Sequence, residues 1–190
     1  MLNRILQWDR ETFIYLNSLG IETYDGFWSA ATDITSWIPL FVLFFILIVL
    51  KYPVKEAILM SLSVIALALF IVLVTDFTKE FVARLRPNNN ADINTLIRIL
   101  RSPSSYSFFS GHAASSFSIT TLVVLFLRKK LAWVWLFYLW PLIFSFSRIY
   151  IGVHYPTDIM TGAAVGVASA FMFYTGYHRL SGPYLRSGRP

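Results

Sequence analysis

The chain has no cysteine, which removes disulfide bridges, thiolate nucleophiles and cysteine-held metals from consideration. Charge is scarce as well. Only 14% of the 190 residues are Asp, Glu, Lys or Arg, and acids number 10 against 16 Lys plus Arg. A net charge of +6 and a pI of about 9.7 are compatible with nucleic-acid binding, but the basic residues form no continuous patch, and no nucleic-acid partner is expected. Internal repeats and low-complexity tracts are also missing, which excludes solenoid and compositionally disordered architectures.

Apolar residues are plentiful instead. The hydrophobic content of 56% and mean hydropathy of +0.61 lie far above those of a soluble domain. Charge-free runs extend over Trp37 to Leu50, Ala57 to Val74, Ala113 to Leu127, Leu131 to Ser147 and Ile159 to Tyr177. A spanning helix needs about 20 mostly apolar residues, so the shorter runs must borrow polar flanks such as Ser29 to Ser36. The expected fold is all-α: one integral-membrane domain over residues 1–190, with about five transmembrane helices. Five such runs leave too little chain for the shell of a soluble protein. Residues 1–19 differ, because Leu2, Ile5, Leu6, Phe13, Leu16 and Leu19 keep helical spacing while Asn3, Arg4, Gln7, Arg10 and Glu11 take the other face. This predicts an amphipathic helix lying in the membrane interface. Asp9, Arg10 and Glu11 interrupt the place where a cleavable signal would be apolar, so the first span is expected to act as an uncleaved insertion signal.

The basic residues sort by side. Lys51, Lys55, Arg128, Lys129, Lys130, Arg179, Arg186 and Arg189 fall in the connections after the first and third spans and in the tail, with Glu56 as the acid among them. Lys and Arg favour cytoplasmic loops, so the opposite side is expected to face outward, as in a bacterial inner membrane with its active site toward the periplasm or another extracytoplasmic space. On that outer side, residues 87–111 form one long connection with turn formers Pro87 to Asn90, an expected short amphipathic helix from Ala91 to Leu100, and a Ser-rich stretch from Ser102 to Ser107. Gly162 and Gly166, four apart in the last span, suit close helix contact, either inside the bundle or between copies; internal packing is favoured because the same helix must deliver Asp158. Pro141 predicts a kink in the fourth span.

Three polar segments interrupt the apolar pattern, and connectivity puts all of them on the outer side. Lys79 and Arg86 are seven apart, which places both on one helix face if the second span continues to Pro87. Two cations there attract a multiply charged anion, and a guanidinium can grip two phosphate oxygens. Ser110 reads as the N-cap of the third span, with Gly111 permitting close backbone approach and His112 in the first turn, where free N–H groups suit phosphate. The unperturbed pKa of a histidine lies near neutrality, so His112 could act as a general acid. Arg148 directly follows an apolar run, and His154 stands four residues before Asp158, which could orient one ring nitrogen and leave the other to attack phosphorus. Taken singly, each segment also reads as ordinary interface chemistry: snorkelling cations, a surface histidine, a first-turn acid. No second carboxylate stands at ligand spacing and the nearby cations would repel a divalent ion, so neither metal nor other cofactor is expected.

Together, Lys79 with Arg86-Pro87, Phe109-Ser110-Gly111-His112, and Ser147-Arg148 with His154 and Asp158 resemble the signature of the type 2 phosphatidic acid phosphatase (PAP2) superfamily. Phe109 departs from it, where the family usually has Pro. The resemblance implies a lipid phosphatase with His154 as nucleophile, Asp158 orienting it, His112 protonating the leaving oxygen and later activating water, and Lys79, Arg86, Ser110, Gly111 and Arg148 binding the phosphoryl oxygens without metal. The implied partners are the bilayer and a lipid phosphate: undecaprenyl pyrophosphate (slightly favoured), phosphatidylglycerol phosphate, phosphatidic acid or a lipid A phosphate. A lipid phosphotransferase using the same phosphohistidine, or a binding protein without turnover, are the alternatives.

Overall fold

The computed structural model describes residues 2–186, and all regular structure among them is helical. The order is α1 (Leu2–Ser18), α2 (Asp25–Ala31), α3 (Ile38–Lys51), α4 (Val54–Val82), α5 (Gly111–Leu127), α6 (Leu139–Tyr150) and α7 (Pro156–Arg186). Four segments are long and apolar enough to cross a membrane: Ile34–Lys51, Val54–Asn89, Ala132–Tyr150 and Pro156–Ser181. The 17-residue α5 is shorter and sits in the centre of the bundle, where Leu122, Val123, Val124, Phe126 and Leu127 are buried. The protein is thus an integral membrane helical bundle. Its lipid-facing surface is apolar, as shown by the exposure of Leu62, Leu69, Leu73, Phe77 and Phe81 along α4.

The centre is built for close approach. Gly162 and Gly166 of α7 lie directly against α5, and a Cβ on Gly162 would come within 2.5 Å of the Ser110 carbonyl oxygen. The glycine pair therefore serves packing inside the bundle. The small hydroxyl residues of α5 add little bulk and bond back to the helix itself, Ser115 to the Gly111 carbonyl at 2.8 Å and Ser118 to the Ser115 carbonyl at 2.9 Å. These bonds satisfy the Ser115 and Ser118 hydroxyls while α5 and α7 run side by side away from one end of the bundle.

Three sequence expectations change. The second span does not continue to Arg86: α4 ends at Val82, Ala83 takes a left-handed conformation (φ 50°) and donates to the Lys79 carbonyl at 2.9 Å. Arg86, preceding a proline, is extended (φ −71°, ψ 155°), so Lys79 and Arg86 reach the same end of the bundle from a helix and a strap rather than from one helix face. Residues Ala91 to Leu100 form no amphipathic helix, only a single 3-10 turn at Asn94–Leu96. Tertiary partners account for this, because Ile93 packs with Phe13, Ile149 and Tyr155, and the Asn17 amide bonds both the Arg98 N–H (2.7 Å) and its carbonyl (3.1 Å). Pro141 lies in the first turn of α6, just past a 3-10 stretch over Ala132–Tyr138, where an absent N–H leaves no mid-helix gap.

The N-terminal helix forms as expected, but its inward stripe is mixed. Asp9, Phe13 and Asn17, at i, i+4 and i+8, are fully buried, while Ile5, Leu6, Trp8 and Leu19 remain exposed. α1 packs on α6 and α7 across the polar end of the bundle.

Candidate active site

All eight sequence-selected residues lie at this one end. Ser110 caps α5, its hydroxyl accepting from the Ala113 N–H, and its own N–H donates to the Asp158 carbonyl at 3.0 Å. That bond ties the start of α5 to the start of α7. A Cβ on Gly111 would meet the Thr75 methyl at 3.0 Å, one turn before Lys79 on α4. His112 is half-buried against Phe144, ring centres 4.9 Å apart, and shares its electrostatic surroundings with Arg148, His154, Lys79 and Arg86. The two histidines and three of the cations therefore lie within electrostatic reach of one another.

His154 stands between α6 and α7 and is 1% exposed. Arg86 Nη1 lies 3.0 Å from its Nε2. A guanidinium can only donate, so Nε2 is the unprotonated nitrogen and Nδ1 carries the hydrogen. Nδ1 faces Asp158 Oδ2 at 3.4 Å and Ser107 Oγ at 3.3 Å, and Ser107 also makes a close hydrogen bond to Asp158 Oδ2. Burial, reinforced by Arg86 and opposed by the Asp158 hydrogen bond, pushes the His154 pKa down to about 3. At neutral pH this imidazole is uncharged with its Nε2 lone pair directed at Arg86, the form a nucleophile requires.

The cations are held differently from one another. Arg86 is already engaged, donating from Nε to the Ser105 carbonyl (2.7 Å), from Nη2 to Ser105 Oγ (3.0 Å) and from Nη1 to the Val153 carbonyl (3.1 Å). It is therefore a fixed post rather than a free two-oxygen clamp. Arg148 is the less committed group: Nη1 donates to Thr32 Oγ1 at 2.6 Å, whereas Nε is buried without a partner among the described residues. A buried guanidinium with an unfilled donor and no carboxylate is suited to an incoming anion. Lys79 is half-buried nearby and carries no hydrogen bond among the described residues. No group of three His, Cys, Asp or Glu side chains suited to a metal is found among the described residues.

Sequence reasoning missed a second layer. Asp9 of α1, Arg84 and Thr157 form a closed network with Asp158. Arg84 Nη2 bonds Asp9 Oδ2 at 2.6 Å and Arg84 Nη1 bonds Asp158 Oδ1 at 2.7 Å, while Asp9 accepts from the Thr157 N–H (2.8 Å) and hydroxyl (2.6 Å). Both carboxylates are fully buried and the guanidinium also covers the Tyr155 ring at 4.0 Å. Asp9 thereby caps α7 from another helix. Arg84 and Ser107 lay within segments already singled out. The sequence marks Asp9 only as one of three charges that interrupt the core of a cleavable signal, and Thr32 only as part of the polar flank Ser29 to Ser36.

A family model described as the PAP2 superfamily matches residues 57–181. A lipid A 4'-phosphatase of Bacteroides thetaiotaomicron is 30% identical over 181 residues, taking in 91% of this chain and 78% of that protein. An undecaprenyl-diphosphatase of Sulfolobus acidocaldarius is 32% identical over 138 residues, 72% of this chain and 61% of that one. The fold is similar to the crystal structure of a transmembrane PAP2 type phosphatidylglycerolphosphate phosphatase from Bacillus subtilis, with a TM-score of 0.72 at 21% identity, covering 93% of this chain and 87% of the other.

Proposed function

The chain belongs to the PAP2 superfamily and is a membrane lipid phosphatase, and we propose that it hydrolyses its substrate through a phosphohistidine on His154. The observation that carries this reading is the His154 ring itself, neutral, with Nε2 unprotonated beside Arg86 and Nδ1 turned to Asp158 and Ser107. In the first step the substrate phosphorus displaces the Arg86 Nη1 hydrogen bond from Nε2, the freed lone pair forms a P–N bond as the bond from phosphorus to the leaving oxygen breaks, and His112, protonated as the anionic phosphate enters among the cations, gives its proton to that oxygen. Asp158 stabilises the positive charge that grows on the His154 ring. In the second step neutral His112 takes a proton from water, the water oxygen bonds phosphorus, and the P–N bond breaks to release phosphate and restore His154. Arg148, Lys79, Arg86 and the N–H groups at the start of α5 stabilise the charge spread over the phosphoryl oxygens.

The substrate in this reading is a phosphomonoester or pyrophosphate whose tail stays in the bilayer, since the site lies at the end of an apolar bundle. The basic residues gathered at the opposite end support an extracytoplasmic orientation, as in a bacterial inner membrane with its site toward the periplasm. The extent of the match to lipid A 4'-phosphatase, 91% of this chain, favours a lipid A phosphate as the first compound to try. Phosphate release in detergent with chelator present, using lipid A bisphosphate, undecaprenyl pyrophosphate, phosphatidylglycerol phosphate and phosphatidic acid, tests the proposal. Release from at least one, abolished in His154→Ala with the fold retained, is expected. Wild-type turnover in that variant would remove the covalent mechanism, and labelled phosphate passing to a lipid acceptor instead of water would make the protein a transferase.

A further inference from the structure

The end of the bundle away from the active site carries its own cavities. Between α4 and α7 a groove of about 640 Å³ is lined by Leu59, Leu62, Ala66, Met172, Phe173 and Leu180. Its floor is Gly176, where an added Cβ would meet nothing within 4 Å. Beside it lies a smaller cavity of about 210 Å³, where Tyr52, Glu56, Lys129 and His178 join the apolar Met60 and Phe126, and Tyr177 and Ser181 line both. His178 lies twenty residues past Asp158 on the same helix, about 30 Å at the α-helical rise, which is the thickness of a bilayer core. The cavities are therefore separate from the phosphatase site.

Their chemistry suits an amphiphile, with an apolar slot beside a chamber that carries polar and charged side chains. The Tyr177 side chain is 7% exposed and its hydroxyl has no hydrogen-bond partner among the described residues. Neighbouring hydroxyls are already used, Tyr52 on the Phe126 carbonyl and Ser181 on the Tyr177 carbonyl at 2.6 Å. A buried hydroxyl in this state calls for an acceptor from outside. Lys129 borders the chamber and Lys130 covers the Tyr52 ring at 5.8 Å, with Arg128 and Lys55 close by in sequence, so the acceptor that fits is an anion. Glu56, the acid of the chamber, is matched by a head group that also offers hydroxyl donors.

We propose that this groove and chamber hold one phospholipid of the leaflet on the basic face, its phosphodiester between Tyr177 and Lys129, its hydroxylated head group toward Glu56 and an acyl chain along Gly176. Phosphatidylglycerol has this chemistry. The test strips the full-length protein of lipid in neutral detergent, adds phosphatidylglycerol or phosphatidylcholine with the same acyl chains, and counts retained lipids by native mass spectrometry. One phosphatidylglycerol is expected to be retained in preference to phosphatidylcholine. Gly176→Leu, which fills the slot and improves local helix propensity, should weaken retention at least about tenfold, and Lys129→Ala should weaken it several-fold, while phosphate release in detergent is unchanged in both. Equal retention of the two lipids, or retention that survives Gly176→Leu but is lost in Arg148→Ala, overturns the proposal, the latter by assigning the lipid to the active site. Retention is read without turnover, so its failure is distinct from failure of the phosphatase reading.

Discussion

Asp9→Asn puts the second layer of the site to a quantitative test. The native carboxylate accepts three hydrogen bonds, one from Arg84 and two from Thr157. An asparagine of the same shape has a single acceptor oxygen and turns an N–H2 toward a donor, so either the guanidinium or the start of α7 loses its partner. Arg84 is 20% exposed and Asp9 fully buried, so the loss is not masked by water. A hydrogen bond to a charged group contributes about 2 kcal/mol, which corresponds to roughly 30-fold in rate if it is fully expressed in the transition state. Asp9 touches no group assigned to phosphate. The fall is therefore expected in kcat with KM near wild type, read by phosphate release in detergent under saturating and limiting lipid. If the effect travels through Arg84 to Asp158, Asp9→Asn should add little in an Asp158→Asn background. A folded variant with wild-type kcat, a loss confined to KM, or full additivity with Asp158→Asn would refute the reasoning.

Three further outcomes are expected. His154 binds its proton near pH 3 in the folded protein against an ordinary 6.5, so the unfolded chain takes up protons first. Stability should be full above pH 6.5 and fall as pH drops toward 3, and His154→Asn should flatten that acid-side decline in thermal unfolding scans. Ser107→Ala removes the hydroxyl shared by His154 and Asp158; about tenfold lower kcat is expected, corresponding to ~1.4 kcal/mol for one buried hydrogen bond. Gly166→Ala would drive its methyl against the Ala114 carbonyl and the Ser118 N–H, backbone groups of α5 that cannot rotate away. Detergent unfolding should show a loss of about 1–3 kcal/mol.

The local chemistry of the site was legible in the chain. Ser110 as N-cap, His154 four residues before Asp158, and the shared side of the two motif-bearing connections all follow from spacing and from the alternation forced by membrane-crossing runs. What spacing could not show was how each group is held. Lys79 and Arg86 keep helical separation, yet the chain leaves the helix at Ala83, because Arg84 finds two buried carboxylates and Ser107 pairs its N–H with the Arg84 carbonyl at 2.8 Å. Ala91 to Leu100 has an amphipathic pattern, yet its backbone is taken by Asn17, more than seventy residues away in sequence.

By itself the sequence determined an all-helical membrane protein and the inventory of a phosphate site, because hydrophobic runs and motif spacing act within a few turns of chain. Only the tertiary structure decided that Asp9 locks the base of the last helix, that Arg86 is fixed while Arg148 keeps a donor without a partner among the described residues, and that the glycines of α7 bring it against α5. Each of these depends on a partner distant in sequence, and the free energy of a buried ion pair or a helix contact is set by where that partner lands.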